Sequence, residues 1–216
     1  METKKQNIMV YAALILMAAL SFSNLLKIEI DGEILKPAGI LVILGVIVFF
    51  VTRDSKTAGL DIKALPGQFK NKKAVIFALI PIINGIVEVL VEKRFFPEMI
   101  EHVKGRVSFL DPSKIGPLFI ELVVLALGEE IAMRGFFQRQ TAKHIGTVPA
   151  IILTSILFAM GHFTFADPII EILDLASIFI DSIFFGLAFK ETDNAWFSWT
   201  SHFLANVLAL TLIYFI

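Results

Sequence analysis

Apolar residues dominate seven segments of the chain, and each is long enough to form a membrane-spanning helix. The segments are 8–26, 35–52, 74–91, 115–137, 148–165, 169–189 and 196–216. A spanning helix needs about 20 mainly apolar residues, with a usual range of roughly 17–25. Backbone polar groups in hydrocarbon must be paired within the protein, and a helix pairs its own. The pattern therefore predicts an all-α, polytopic transmembrane bundle of seven helices.

Composition supports the bilayer as the solvent of this chain. Hydrophobic residues make up 56% of the 216 positions, charged residues only 18%, and the mean hydropathy is +0.79, which is too apolar for an ordinary soluble domain. We expect a single membrane-embedded domain over 1–216, multi-pass, in the plasma membrane of a prokaryote, with membrane lipid as its surroundings. A net charge of −1 and no basic face argue against a nucleic-acid partner. Cysteine is absent, which excludes a thiol nucleophile and thiolate metal ligands.

Basic residues between the second and third segments predict the orientation. Positions 53–73 contain six Lys or Arg residues and two Asp residues, so the positive-inside rule makes this loop cytoplasmic. Lys4 and Lys5 place the N-terminus on the same side. Five more basic residues, interleaved with four acidic ones, lie between 92 and 114, and apolar residues among them give this stretch the amphipathic character of an interfacial helix.

Two adjacent carboxylates, Glu129 and Glu130, interrupt the fourth apolar segment. An acid at the centre of a membrane helix costs roughly 2.5–3.5 kcal/mol on insertion scales, so each needs a partner or a water-filled cavity. Arg134 follows Glu130 by one helical turn, in the favourable acid-before-base order, and can neutralise it. Successive helix residues diverge by about 100°, which leaves Glu129 facing elsewhere. A purely structural polar cluster is the alternative for this pair.

Two histidines and an asparagine lie in later apolar segments. His162 ends the fifth segment, and His202 and Asn206 lie one turn apart on one face of the seventh. A single histidine in an apolar helix is more often a packing residue than a ligand or base. Together with Glu129, however, these groups form a constellation capable of hydrolysis.

The three helices that carry Glu129, His162 and His202 can present these side chains at a common depth in the membrane. At 1.5 Å per residue, Glu129 lies about 16 Å from Gln140, His162 about 22 Å from Thr147 and His202 about 13 Å from Asn194. These ends are cytoplasmic in the predicted topology. We therefore expect a shared cavity that opens toward the cytoplasm.

The order Glu129-Glu130-x-x-x-Arg134, Phe158-x-x-x-His162 and His202-x-x-x-Asn206 resembles the CPBP family. This family of intramembrane proteases includes the type II CAAX prenyl endopeptidases and bacteriocin-processing or immunity relatives. The resemblance covers about 115–216, which would be the catalytic core. Family members usually have one more span than the seven counted, so eight helices is the alternative count.

The resemblance implies hydrolysis of a peptide bond in a membrane-associated peptide or lipidated protein. It assigns Glu129 and His162 to water activation, and His202 and Asn206 to stabilising the oxyanion. Glu130 and Arg134 would support the site without reacting. Fixed donors at low dielectric stabilise developing charge better than water does, which agrees with these roles.

Zinc catalysis is the alternative mechanism, with Glu129, His162 and His202 as ligands and water in the fourth position. The paired histidines of an H-E-x-x-H helix are missing, and an asparagine suits an oxyanion better than zinc. We therefore favour a glutamic mechanism without a cofactor.

Other acids in the apolar segments leave further classes of function open. Asp174 and Asp181 share a face of the sixth segment, while Asn84 and Glu88 do so in the third. Such groups line a cavity, pair between helices or form an ion path, although no inverted repeat supports a transporter. A non-proteolytic membrane scaffold or a bacteriocin immunity protein with the same fold is the alternative to the enzyme.

Overall fold

The computed structural model describes residues 2–26, 29–30, 33–34, 37–53, 55–108 and 111–215. Its helices are α1 (Glu2–Ser21), α2 (Ala38–Thr52), α3 (Leu65–Gln68), α4 (Lys72–Phe95), α5 (Pro97–Arg106), α6 (Ile115–Glu130), α7 (Arg139–Ile145), α8 (Thr147–Met160), α9 (Pro168–Thr192) and α10 (Ala195–Phe215). A 3-10 turn (Ser23–Leu26) and a hairpin of two-residue strands, β1 (Glu29–Ile30) and β2 (Glu33–Ile34), follow α1. A π-helical segment, Ile131–Gln138, joins α6 to α7. The predicted all-α class is confirmed.

The predicted count of seven or eight spanning helices is not matched. Each apolar segment forms a helix over most of its described residues, but only α4, α9 and α10 are both long and apolar enough to cross a membrane within the described part of the chain. Three further apolar helices are shorter: Gln6–Ser21, Gly39–Thr52 and Thr147–Met160. A 14-residue helix such as α8 reaches about 21 Å, against a hydrocarbon thickness of about 30 Å. The fourth segment is long, but charged residues interrupt it.

Apolar side chains cover much of the outer surface of the bundle. Ile15 on α1 and Ile169 on α9 are each 72% exposed, and Val124 on α6 is 61% exposed. Soluble proteins rarely present such contiguous apolar surface to water. Together with the apolar spans, it identifies an integral membrane protein.

The π-helical segment and α9 are joined by two matched hydrogen-bond contacts. Arg134 donates to the carbonyl oxygen of Ser182 at 3.1 Å, and Gln138 donates to that of Gly186 at 3.0 Å. Both pairs are spaced by four residues, so one face of the segment meets successive turns of α9. Because such polar groups find no water inside a bilayer, these bonds favour one register between the two helices.

Helix α2 crosses the π-helical segment at very close range. A Cβ added at Gly45 would lie 2.6 Å from the Cβ of Ala132 and 2.9 Å from the Cε of Met17. Real Cβ atoms do not approach other atoms so closely, so this crossing requires glycine. Small residues at such crossings are typical of helix packing in membranes.

The basic loop is attached to the turn between α9 and α10. Asn194 donates to the carbonyl oxygen of Asp61 at 2.7 Å and to the side chain of Gln68 at 2.8 Å. Its own side-chain oxygen accepts the N–H of Asp61 at 3.1 Å. Ala195 adds a backbone bond to Gly59 at 2.9 Å. The loop therefore covers this end of the bundle.

The amphipathic stretch after α4 contains helix α5. Its apolar residues Met99 and Ile100 are each 5% exposed. His102 and Arg106 both contact the Asp174 carboxylate of α9, at 3.1 and 2.5 Å respectively. These contacts attach α5 to the side of the bundle opposite the basic loop.

Candidate active site

The innermost part of the site is a charged cluster with no access to solvent. Glu130 and Arg134 are 0% exposed, and the Arg134 Nη1 donates to Glu130 Oε1 at 2.8 Å. The other terminal nitrogen of Arg134 donates to the hydroxyl of Ser182 at 2.7 Å. The guanidinium also lies over the rings of Phe158 and Phe185, with 4.7 and 5.3 Å to their centroids. The predicted pairing of Glu130 with Arg134 is therefore present, and aromatic faces add cation–π stabilisation.

His202 lies between the two adjacent carboxylates. Its Nδ1 is 3.0 Å from Glu130 Oε1, and its Nε2 is 3.6 Å from Glu129 Oε2. Because an ionised carboxylate only accepts hydrogen bonds, Nδ1 carries the proton in the bond to Glu130. Phe185 stacks on the imidazole at 4.7 Å. These contacts hold the ring with Nε2 directed toward Glu129.

Glu129 differs from Glu130 in its surroundings. Its side chain is 24% exposed and lines a cavity of about 480 Å³. Glu130 is turned into the packed core by the 100° step between neighbouring helix residues. Of the two carboxylates, Glu129 is therefore the one that a substrate or water molecule can reach.

His162 enters the same cavity from the turn after α8. Its Nδ1 bonds to the carbonyl oxygen of Phe158 at 2.8 Å, so this nitrogen is the donor and Nε2 keeps its lone pair in the neutral ring. Asn24 holds the turn through a bond to the carbonyl oxygen of Gly161 at 2.8 Å. This backbone bond orients His162, as a histidine that binds a proton or a ligand requires.

The cavity brings together all four predicted catalytic side chains. Glu129, His162, His202 and Asn206 all line it, whereas Glu130 and Arg134 lie behind its wall. A smaller neighbouring cavity of about 100 Å³ shares Glu129 and His162 and reaches α2. Neither His162 nor Asn206 is hydrogen-bonded to Glu129 within the part of the chain that the structure describes. The space between them is therefore available to a substrate.

Two charged cavity residues were not assigned to the site from sequence. Asp181 lines the cavity and accepts a hydrogen bond from Asn84 at 3.1 Å, and Asn84 also bonds Glu88 at 3.0 Å. The shared helical face of Asp174 and Asp181 was the only signal for this acid. Arg106 also lines the cavity, although the sequence placed it in an interfacial stretch.

The two ends of the cavity differ. All eight residues of the π-helical segment are buried, and Phe189 of α9 belongs to the same buried cluster. Ala188 and Phe197 form a second buried cluster with Ala74 of α4. We call this the closed end; it lies toward the basic loop and the α9–α10 turn. In the other direction the cavity continues along α10 from His202 to Ile213. This other end lies toward α5, where Leu210 and Ile213 are buried and Ile213 packs against Ile100.

The zinc alternative requires three ligands around one point. Among the described residues, no group of three His, Cys, Asp or Glu side chains is arranged to hold a metal ion. Both histidines do have the bonded Nδ1 that is common in metal-binding histidines.

Comparison with known families agrees with the motif resemblance. Residues 111–208 match the family model described as Rce1-like, that is, type II CAAX prenyl endopeptidase Rce1-like. This range contains the complete set of motif residues, and the resemblance is confirmed for this part of the chain. The match indicates a CAAX-protease-like intramembrane endopeptidase with a membrane-associated peptide or protein substrate. No curated protein and no solved structure matches the chain.

Proposed function

We propose that this protein hydrolyses a peptide bond in a membrane-associated peptide or lipidated protein, using the cavity around Glu129. The observation that carries the proposal is the convergence of Glu129, His162, His202 and Asn206 on one cavity inside an apolar bundle. Polar groups in membrane helices are costly, and four of them around a cavity indicate chemistry rather than packing.

Water activation is assigned to Glu129 and His162. Glu129 has a partly exposed carboxylate, and His162 offers the lone pair on Nε2 because Nδ1 is bonded to Phe158. A water molecule between them would lose its proton to Glu129 as its oxygen attacks the scissile carbonyl carbon. His162 would accept a hydrogen bond from the same water and so orient it.

Stabilisation of the oxyanion is assigned to His202 and Asn206. The amide of Asn206 makes no hydrogen bond among the described residues, so its N–H groups are available to a substrate oxygen. His202 donates from Nε2 when both ring nitrogens carry protons, and Nε2 is the nitrogen that faces Glu129, 3.6 Å from its carboxylate. Two fixed donors at low dielectric would stabilise the tetrahedral intermediate.

Collapse of the intermediate completes the reaction. The carbonyl re-forms, the C–N bond breaks, and the proton held by Glu129 passes to the leaving amine. Glu130 and Arg134 take no part in proton transfer in this scheme, because both are fully buried and bonded to each other. They position His202 instead.

A glutamic mechanism is favoured over a zinc mechanism by the arrangement of donors. Among the described residues, no three His, Asp or Glu side chains surround one point, whereas a catalytic zinc site needs three protein ligands. The amide of Asn206 is a good oxyanion donor and a poor zinc ligand. No step in the scheme requires a cofactor.

The proposal is tested by looking for the products of hydrolysis. Purified protein in proteoliposomes would be incubated in H₂¹⁸O with a library of membrane-tethered peptides, and the products identified by mass spectrometry. Hydrolysis places one ¹⁸O in the new carboxyl terminus of each cleaved peptide. A correctly folded protein that leaves the whole library intact would instead favour the non-proteolytic scaffold or immunity protein.

A further inference from the structure

Asp181 is a second carboxylate in the wall of the cavity. It lies on α9 one turn before Phe185, and both residues line the cavity together with Glu129 and His202. Phe185 stacks on the imidazole of His202 at 4.7 Å, and Asp181 lies within electrostatic range of the same ring. This carboxylate is therefore beside the groups to which hydrolysis is assigned, although the proposed reaction gives it no task.

The hydrogen bonds of Asp181 leave one of its oxygens unused. Asn84 on α4 donates to Asp181 Oδ1 at 3.1 Å and to Glu88 Oε1 at 3.0 Å. Ser177 donates its hydroxyl to the second oxygen of Glu88 at 2.6 Å. Both oxygens of Glu88 are thus paired, whereas Oδ2 of Asp181 accepts no hydrogen bond from the residues that the structure describes. Of these two acids, Asp181 is also the one that lines the cavity.

Asp181 has no ion-pair partner within the described part of the chain. Arg106 is the one Lys or Arg among the described residues that line the cavity, and it is bonded to Asp174 at 2.5 Å. Arg134 lies behind the wall and is paired with Glu130. A carboxylate inside an apolar bundle is costly, and such groups usually pair with another side chain or face a cavity. A cation that enters the cavity would supply the partner that Asp181 lacks.

We propose that Asp181 determines specificity by binding a cationic side chain, lysine or arginine, that lies within a few residues of the scissile bond of the peptide substrate. The cation would donate a charge-assisted hydrogen bond to Oδ2, while Asn84 positions the carboxylate through Oδ1. An acidic side chain at the same place would meet the carboxylates of Asp181 and Glu129, and like charges across an interface are unfavourable. This inference rests on the proposed function in taking the cavity as the place where the peptide is bound.

Matched peptides measure this preference. One membrane-tethered peptide that the protein cleaves would be made with Lys, Gln or Glu at each position near the scissile bond in turn, and kcat/KM determined in proteoliposomes. At one of these positions the Lys peptide should be cleaved at least about 10-fold more efficiently than the Gln peptide, the scale of a hydrogen bond to a charged group. The Glu peptide should be the poorest of the three. Equal kcat/KM for the Lys and Gln peptides at every position would overturn the inference.

Variants of the two neighbouring acids assign the preference to a residue. Asp181→Asn keeps the shape of the side chain and removes its charge, so the preference for the Lys peptide should be lost; Asp181→Ser serves the same purpose if the Asn variant does not fold. Glu88→Gln is the matched control, because it removes the other carboxylate that is bonded to Asn84, and it should keep the preference. A preference that survives in Asp181→Asn, or that is lost equally in Glu88→Gln, would overturn the inference.

Binding measurements separate this inference from the proposed function. Fluorescently labelled Lys and Gln peptides would be titrated with the Glu129→Gln protein in detergent, and their Kd values compared with and without the added Asp181→Asn substitution. Tighter binding of the Lys peptide that disappears with Asp181→Asn supports the inference even if no peptide is cleaved, a result that would count against the proposed function alone. Cleavage of the Lys and Gln peptides at equal rates would leave the proposed function intact and overturn the inference.

Discussion

His202 and Glu130 are joined by a buried 3.0 Å contact between Nδ1 and Oε1. The same carboxylate oxygen accepts the 2.8 Å hydrogen bond from Arg134. The second motif glutamate therefore connects the arginine to the imidazole that faces Glu129. This relationship explains how a residue outside the cavity can influence the chemistry inside it.

Arg134 is expected to matter for stability before chemistry. Removing one partner of a buried ion pair typically costs about 3–5 kcal/mol, because the other charge is left without compensation. Arg134→Ala should therefore lower the thermal unfolding temperature in detergent and the folded yield.

The matched double variant Glu130→Gln/Arg134→Met leaves no charge stranded. It should recover part of the lost stability, but not all of it, since the contacts with Ser182 and His202 also change. A double variant no more stable than Arg134→Ala would show that the two residues are not energetic partners.

Asn206→Ala should slow catalysis with little effect on folding. Removing one oxyanion donor typically lowers kcat by about 10²–10³-fold, and KM should change much less. Steady-state kinetics on a cleaved reporter measures both. Thr211→Ala is the control, because Thr211 is exposed on the same helix and its hydroxyl donates to the carbonyl oxygen of Val207, one turn earlier. Equal losses in the two variants would argue against a role for Asn206 in the site.

Activity should survive removal of metal ions. In the glutamic mechanism no step uses a metal, so exhaustive treatment with a strong chelator should leave the rate unchanged, and elemental analysis should find less than stoichiometric zinc. One zinc per chain, with activity lost on its removal and restored on its return, would establish the alternative with Glu129, His162 and His202 as candidate ligands.

Gly45→Ala should destabilise the bundle, although alanine is the better helix former. Its methyl group would meet Ala132 at 2.6 Å, and overpacking of this kind costs about 1–3 kcal/mol. Gly85→Ala is the control, since nothing lies within 4 Å of that position in α4 and the change should be neutral or stabilising by up to about 1 kcal/mol. Thermal unfolding in detergent measures both variants. A higher unfolding temperature for Gly45→Ala than for Gly85→Ala would contradict the close crossing.

The helices and the lining of the cavity follow from the sequence to a large extent, because both depend on local patterns. Apolar runs give the helices, and four-residue spacings place Glu130 with Arg134 and His202 with Asn206. The π-helical segment was not predicted, since its hydrophobic pattern is close to that of an α-helix. The presence of Arg106 in the cavity depends on its ion pair with Asp174, 68 positions away, which no local pattern contains.

Side-by-side cleavage rates of Glu129→Gln and Glu121→Gln test the central claim most directly. Both variants remove one carboxylate from α6 with almost no change of shape, but Glu129 lines the cavity and Glu121 is exposed on the outer surface. The account predicts that Glu129→Gln folds normally and loses at least about 10²-fold in rate, the scale of a general base, while Glu121→Gln retains the wild-type rate. Wild-type cleavage by Glu129→Gln would contradict it.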